Sequence, residues 1–207
     1  LRVGGDEFVI VLEKRDDGFE PRLEDIRAAV SKPLRIGNYD MKVTCSIGMA
    51  FFPEHGQTTA EIVAAADLAM YEAKHAGRDC IATFSPRMAD DLRKKFIRIE
   101  ELRKALERDE FVLHYQPQVD LATGGISGVE ALVRWQHPQE GLLSPVEFIG
   151  LAEETGLIVE LGEVVLRKAC CQAQRWRETG LPPLKMAVNI SPRQFQSGLV
   201  GKIRAAL

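Results

Sequence analysis

Gly4-Gly5-Asp6-Glu7-Phe8 sets two adjacent carboxylates beside a glycine pair. Backbone can approach a phosphate chain there without Cβ obstruction. The carboxylates suit Mg²⁺, a hard cation that takes oxygen ligands and bridges to nucleotide phosphates. The competing reading is a plain turn, since Gly and Asp are turn residues in their own right. Asp67, Tyr71, Lys74 and Arg78 recur at spacings of four, three and four, which makes one polar stripe along a helix and ends it in two cations. Such a pair can hold phosphate or simply complement the helix dipole.

A second group occupies the other half. Alternation along Val129 to Trp135 puts Glu130, Leu132 and Arg134 on one strand face and Val129, Ala131 and Val133 on the other. A carboxylate and a guanidinium on so apolar a strand call for a ligand, a metal or each other, and an ion pair is the plainest reading. Gln116, just before Pro117, and Asn189, just ahead of Ser191-Pro192, read as the ends of neighbouring strands. Polar residues at three C-terminal strand ends match the active face of a β/α barrel.

The elements that must position these residues follow from pattern. Residues 1 to 12 read as a hairpin turning at Gly4-Gly5. A charged loop through Asp16-Asp17-Gly18, a helix near Leu23 to Ser31 and a β-rich run from Lys42 to Phe52 come next. Thr58 and Glu61 form a capping box for the next helix, and Gly77 stands where it should stop. Met88, Leu92, Phe96, Ile99, Leu102 and Leu106 mark one stripe of a long amphipathic helix joining the halves. Strands at Phe111 to Gln116 and Ile126 to Trp135, a turn at Gly124-Gly125, helices from Pro145 and Ile158, and a strand ending at Asn189 complete the chain. Their alternation predicts an α/β fold with a largely parallel sheet. The divisions expected are 1–87, a linker helix 88–109, and 110–207.

The 207 residues are 45% hydrophobic and 28% charged, which excludes a disordered chain. The net charge of −3 excludes a global positive field for a nucleic acid polymer or an anionic membrane, so any phosphate binding is local. Cys45, Cys80, Cys170 and Cys171 show neither metal spacing nor a CxxC pair and read as reduced packing residues of a cytoplasmic protein. No window reaches the roughly 18 to 20 apolar residues of a membrane span. The chain opens on Leu1 within an apolar run and stops at Leu207 within an amphipathic segment, which reads as an internal piece of something longer. Expressed alone, it is expected to be inactive and aggregation-prone, since a barrel needs eight strands and few are visible.

Two signatures, in order, give these sites a family resemblance. Arg2-Val3-Gly4-Gly5-Asp6-Glu7-Phe8, Ser46-Ile47-Gly48, Ala66 to Lys74 and Gly77-Arg78-Asp79 resemble a diguanylate cyclase (GGDEF) domain. Tyr115-Gln116-Pro117, Asp120, Thr123-Gly124, Gly128 to Trp135, His137-Pro138, Ala152-Glu153, Gly162 and Asn189-Ile190-Ser191 resemble a cyclic-di-GMP phosphodiesterase (EAL) domain. The resemblance implies the C-terminal part of a nucleotidyl-cyclase or palm-like α+β domain followed by the first part of a TIM-like (β/α)8 barrel. It implies Asp6 as a metal ligand and Glu7 at a second metal or at the attacking hydroxyl, with Gly4 and Gly5 admitting phosphate and Lys74 and Arg78 binding it. In the second half it implies Glu130 and Asn189 as ligands of Mg²⁺ or Mn²⁺, with Gln116 and Arg134 on the dinucleotide. Cyclic-di-GMP, GTP and a second copy in a homodimer are the implied partners. The functions left open are an enzyme of cyclic-di-GMP turnover, chiefly the hydrolase, with a first domain that makes cyclic-di-GMP or binds GTP as a regulator; a catalytically silent nucleotide receptor; and a structural pair.

Overall fold

A computed structural model describes residues 1–13 and 20–206. The expected loop at Asp16-Asp17-Gly18 lies outside the described residues. The chain divides into two compact units, Leu1–Leu92 and Arg93–Leu207.

In the first unit, β1 (Arg2–Gly4) and β2 (Glu7–Phe8) pair antiparallel, with Gly4 opposite Glu7. The turn therefore centres on Gly5 and Asp6, not on Gly4-Gly5. Gly5 alone takes positive φ, +52°, the demand of a hairpin turn whose first central residue is left-handed. Helix α1 (Glu20–Val30) covers the expected position. A second hairpin, β3 (Leu34–Ile36) with β4 (Tyr39–Met41), turns at Gly37, φ +62°; it was not legible in the pattern. The β-rich run from Lys42 to Phe52 yields only the strand β5 (Ile47–Met49).

Helix α2 (Thr59–His75) starts at the Thr58 and Glu61 capping box and ends before Gly77, φ +118°. Its buried side is Ala65, Ala69 and Ala73, a stripe of small residues that lets a strand lie close. β5 and β6 (Ile81–Thr83) pair parallel across this helix, a βαβ unit. Helix α3 (Pro86–Glu107) begins in the first unit and ends in the second, burying Leu102 and Ala105. Of the predicted stripe, Phe96 is exposed.

The second unit is built on β7 (Phe111–Val119), β8 (Ile126–His137), β9 (Gly141–Leu143) and β10 (Lys185–Val188), in the order β10-β8-β7 with β9 also on β8. β7 and β9 run antiparallel to β8 and only β10 runs parallel, so the largely parallel sheet is corrected. The cause is the short β7–β8 connection, because a parallel pair needs a crossover of a dozen or more residues. Asp120 closes that connection: its carboxylate accepts the Ala122 and Thr123 N–H groups, both at 2.9 Å. These bonds, the Thr123 N–H foremost, hold its carboxyl below the usual aspartate range.

A 3-10 turn at Pro145–Glu147 precedes α4 (Ile149–Thr155), and α5 (Ile158–Glu178) comes after it. The core lies on one sheet face, where Phe111, Trp135 and Phe148 are fully buried with ring centroids 5.6 to 5.9 Å apart. Leu102 of α3 and Leu161 and Val165 of α5 close it, and each buried side chain of this size contributes roughly 1.5–3 kcal/mol. The opposite sheet face carries His114, Gln116, Gln118, Glu130 and Arg134 together with Val112 and Leu132. A short 3-10 stretch (Pro192–Ser197) and α6 (Leu199–Ala206) finish the chain.

Candidate functional site

The first predicted site is held by a local ribbon. Arg2 donates from Nε and Nη2 to the Gly5 carbonyl at 3.0 and 2.7 Å, which fixes the turn between the two strands. Asp6 and Glu7 are exposed, and a Cβ built on Gly4 or Gly5 would meet nothing within 4 Å. A ligand can therefore reach this backbone freely. Lys74 and Arg78 are exposed at the far end of α2, and Arg78 and Asp79 come directly after Gly77 with φ of +63° and +49°. Arg27 of α1 clamps that strained turn, donating from Nη1 to the Asp79 carbonyl at 3.1 Å and to its carboxylate at 2.9 Å. Among the described residues no hydrogen bond or ion pair links Asp6 or Glu7 to Lys74 or Arg78, so the structure does not tie the two halves of this site together.

The second site lies on the polar face of the sheet. Directly paired residues share a face, and the β7–β8 register puts Gln116 opposite Glu130, His114 opposite Leu132, Val112 opposite Arg134 and Gln118 opposite Gly128. Gln116 thus sits within the ladder and not at a strand end. β7 continues through Pro117 to Val119 because it is an edge strand, where a proline's missing N–H leaves no partner unsatisfied. Glu130 is likewise inside β8, so the picture of three strand ends is corrected to a row across the sheet. In the parallel pair Ala187 lies beside Glu130, and Asn189, two residues on, reaches the same face. Its Nδ2 donates to Glu130 Oε1 at 2.7 Å.

Arg134 does not pair with Glu130. Its Nη1 donates to the Val133 carbonyl at 2.8 Å, and four residues along a strand set the two groups roughly 13 Å apart in Cα position. The expected ion pair is therefore absent among the described residues. Glu130 is half-buried and Asn189 and Gln116 are exposed. A carboxylate and an amide carbonyl side by side are hard oxygen donors, which fit Mg²⁺ or Mn²⁺. Among the described residues the Asn189 carbonyl oxygen accepts no hydrogen bond, so it is available to a cation.

Sequence reasoning missed His114, Gln118 and Lys185 as members of this face. The alternation His114, Gln116, Gln118 was open to view, but which face it joined depended on the register with β8. It also gave no role to Glu153, whose Oε1 accepts the Ser191 hydroxyl at 2.7 Å.

Among the described residues one group of three side chains able to ligate a metal gathers within 4.8 Å: Glu101, His137 and Glu140. Arg98 already supplies the cation there, with Nη2 on both Glu140 oxygens at 2.6 and 2.8 Å and Nη1 3.3 Å from Glu101. His137 Nδ1 is occupied by the N–H groups of Gln139 and Glu140 at 3.3 and 3.1 Å. The group works as an ion-pair network behind Trp135.

Known proteins share both halves of the chain. A family model for the EAL domain matches residues 99–207, and one for the diguanylate cyclase GGDEF domain matches residues 1–80. The bifunctional diguanylate cyclase/cyclic di-GMP phosphodiesterase MucR of Pseudomonas aeruginosa is 44% identical over 208 residues, covering 100% of this chain and 30% of that protein. The cyclic di-GMP phosphodiesterase PdeR of Escherichia coli is 42% identical over 195 residues, 94% of this chain and 29% of that protein. The chain thus spans about a third of the length of these curated relatives. Among solved structures, the PaMucR phosphodiesterase in complex with c-di-GMP matches 54% of this chain and 45% of that one, with 51% identity and a TM-score of 0.51. The Xanthomonas citri FimX EAL domain in complex with c-diGMP covers 57% and 46%, with 29% identity and a TM-score of 0.51. The chain belongs to the EAL domain family, in the tandem arrangement in which a GGDEF domain precedes the EAL domain.

Proposed function

We propose that the protein carrying this chain hydrolyses cyclic-di-GMP to the linear dinucleotide in its EAL part. The observation that carries this reading is the row of Gln116, Glu130 and Asn189 across one polar sheet face, with Asn189 hydrogen-bonded to Glu130. Glu130 and Asn189 would hold Mg²⁺ or Mn²⁺, which supplies Lewis-acid charge at the phosphate and lowers the pKa of a bound water. The Asn189 amide, by donating to Oε1, aligns the Glu130 carboxylate and keeps its own carbonyl oxygen for the cation. Gln116, directly opposite Glu130 on the neighbouring strand, can hydrogen-bond the dinucleotide beside that phosphate. Arg134, at the far end of the same face, offers a planar guanidinium to a second phosphate oxygen once it leaves the Val133 carbonyl. The relatives named as phosphodiesterases and the c-di-GMP complexes support this choice of substrate.

For the first part the proposal is a palm-like GGDEF domain that condenses GTP to cyclic-di-GMP or binds GTP as a regulator. Asp6 and Glu7 would take Mg²⁺, Gly4 and Gly5 would admit the phosphates, and Lys74 and Arg78 would bind them. The working boundaries are 1–87, 88–109 and 110–207, in a cytoplasmic protein that acts as a homodimer.

The test is turnover of cyclic-di-GMP by the intact protein with Mg²⁺ or Mn²⁺ beside a Glu130→Ala variant. Formation of the linear dinucleotide that falls by at least about 100-fold in the variant, the upper end of what losing even an outer-shell metal partner costs, is expected. Nucleotide binding without turnover would discard the hydrolase in favour of a receptor.

A further inference from the structure

We infer that Glu153 is a positioning residue for the Asn189 amide. The inference rests on the metal-binding reading of Glu130 and Asn189. β10 ends at Val188, which pairs with Ala131, so Asn189 is already past the ladder and no strand pairing sets its side chain. The loop beyond Asn189 is held instead by two side chains. Ser191 Oγ donates to Glu153 Oε1 of α4 at 2.7 Å, and the Ser191 N–H donates to Gln194 Oε1 at 2.8 Å. Gln194 is itself only 4% exposed. It lies so close to α5 that a Cβ on Gly162 would stand 1.9 Å from its Nε2, which leaves it little freedom to move.

The two anchors fix residue 191 from both its hydroxyl and its backbone, two positions beyond the proposed ligand. A carboxylate acceptor shortens and strengthens the hydroxyl bond relative to a neutral one. Glu153 comes from a helix whose neighbours Ala152 and Phe148 are fully buried in the core. The hydrogen bond therefore ties the loop after β10 to the buried core of the unit, and the Asn189 amide inherits that reference. Without it the loop can turn the amide away from Glu130 while the core stays packed. Groups that orient metal ligands from behind are worth about 10- to 100-fold in metal affinity.

The experiment is Mn²⁺ titration of the intact protein, read by water-proton relaxation, with thermal melting of each variant alongside. Glu153→Ala and Ser191→Ala are expected to raise the Mn²⁺ dissociation constant by about 10- to 100-fold. Glu153→Gln keeps an oxygen that accepts from Ser191 and is expected to restore the wild-type affinity. Unchanged affinity in the Ala variants, with or without a lower melting temperature, would overturn the inference and reduce Glu153 to a packing role. A loss that Glu153→Gln does not rescue would overturn it too. If Glu130→Ala leaves Mn²⁺ binding unchanged, the metal-site reading falls and takes this inference with it. If Glu130→Ala removes a Mn²⁺ site while Glu153→Ala does not shift the affinity of that site, only the inference falls.

Discussion

Glu61 carries a charge whose environment differs clearly between the folded and unfolded chain. Its carboxylate accepts the Gln57 N–H at 2.6 Å and the Thr58 N–H at 3.1 Å, and these two bonds hold its carboxyl below the usual glutamate range. A group with a lowered folded-state pKa stabilises the fold fully above its unfolded value and loses that contribution as pH falls through the folded value. The window therefore opens near pH 4.3, the ordinary glutamate value, and extends downward. Glu61→Gln keeps a capping oxygen but cannot titrate. The expected result is that the melting temperatures of wild type and Glu61→Gln, tracked from pH 6 to 3, converge or cross only in the acid limb. A constant difference across that range would show that Glu61 does not titrate with folding. Asp120 has the same sign for the same kind of reason.

At the scale of the element, the packing of β5 on α2 depends on one missing side chain. A Cβ on Gly48 would stand 2.0 Å from the Ala66 carbonyl oxygen and 2.2 Å from the Met70 nitrogen. Both are helix backbone, so nothing flexible can yield, and the strand must lift off the helix. Ala65 and Ala69, the buried stripe beneath, serve the same close approach from the other side. Gly48→Ala is expected to destabilise the first unit by about 1–3 kcal/mol, the usual range for overpacking. Urea unfolding monitored in that unit checks it, and a change within about 0.5 kcal/mol, the ordinary range of a surface substitution, would mean that β5 is not seated as described.

For the molecule as a whole, the apolar surface left uncovered predicts behaviour. Large apolar side chains stand out in both units, Leu1, Val11, Tyr39 and Phe52 in the first and Leu121 and Val146 in the second. β7 is a nine-residue edge strand, long enough to template pairing with another chain. The 207-residue chain is therefore expected to self-associate, its weight-average mass in sedimentation rising with concentration above the 23.0 kDa monomer. A constant monomer mass up to about 100 μM would contradict this, since aggregation through exposed apolar surface sets in at μM to mM concentrations. Among the described residues no helix is long and apolar enough to cross a membrane, and the four cysteines are free thiols.

Signals that act within about four residues were legible in the chain alone. The capping box at Thr58 and Glu61, the stop at Gly77, the start of α5 at Ile158 and the alternation of β8 each depend on local hydrogen bonds or on the period of one element. The Gly-Gly-Asp-Glu turn was legible as a hairpin, although its centre lay one residue later. The candidate site was legible as a set of residues and not as an arrangement. Glu130 and Arg134 share a face, as alternation requires, yet do not meet, because the spacing of a strand keeps them apart. Gln116 looked like a strand end because Pro117 comes next, and only the edge position of β7 makes that proline harmless. Whether Gln116 would oppose Glu130 depended on the antiparallel register that buries Phe111 and Trp135 on the other face. The bonds of Asn189 to Glu130 and of Ser191 to Glu153 join residues 59 and 38 positions apart. No local rule reaches across such separations; packing of the core on one face of the sheet decides what meets on the other.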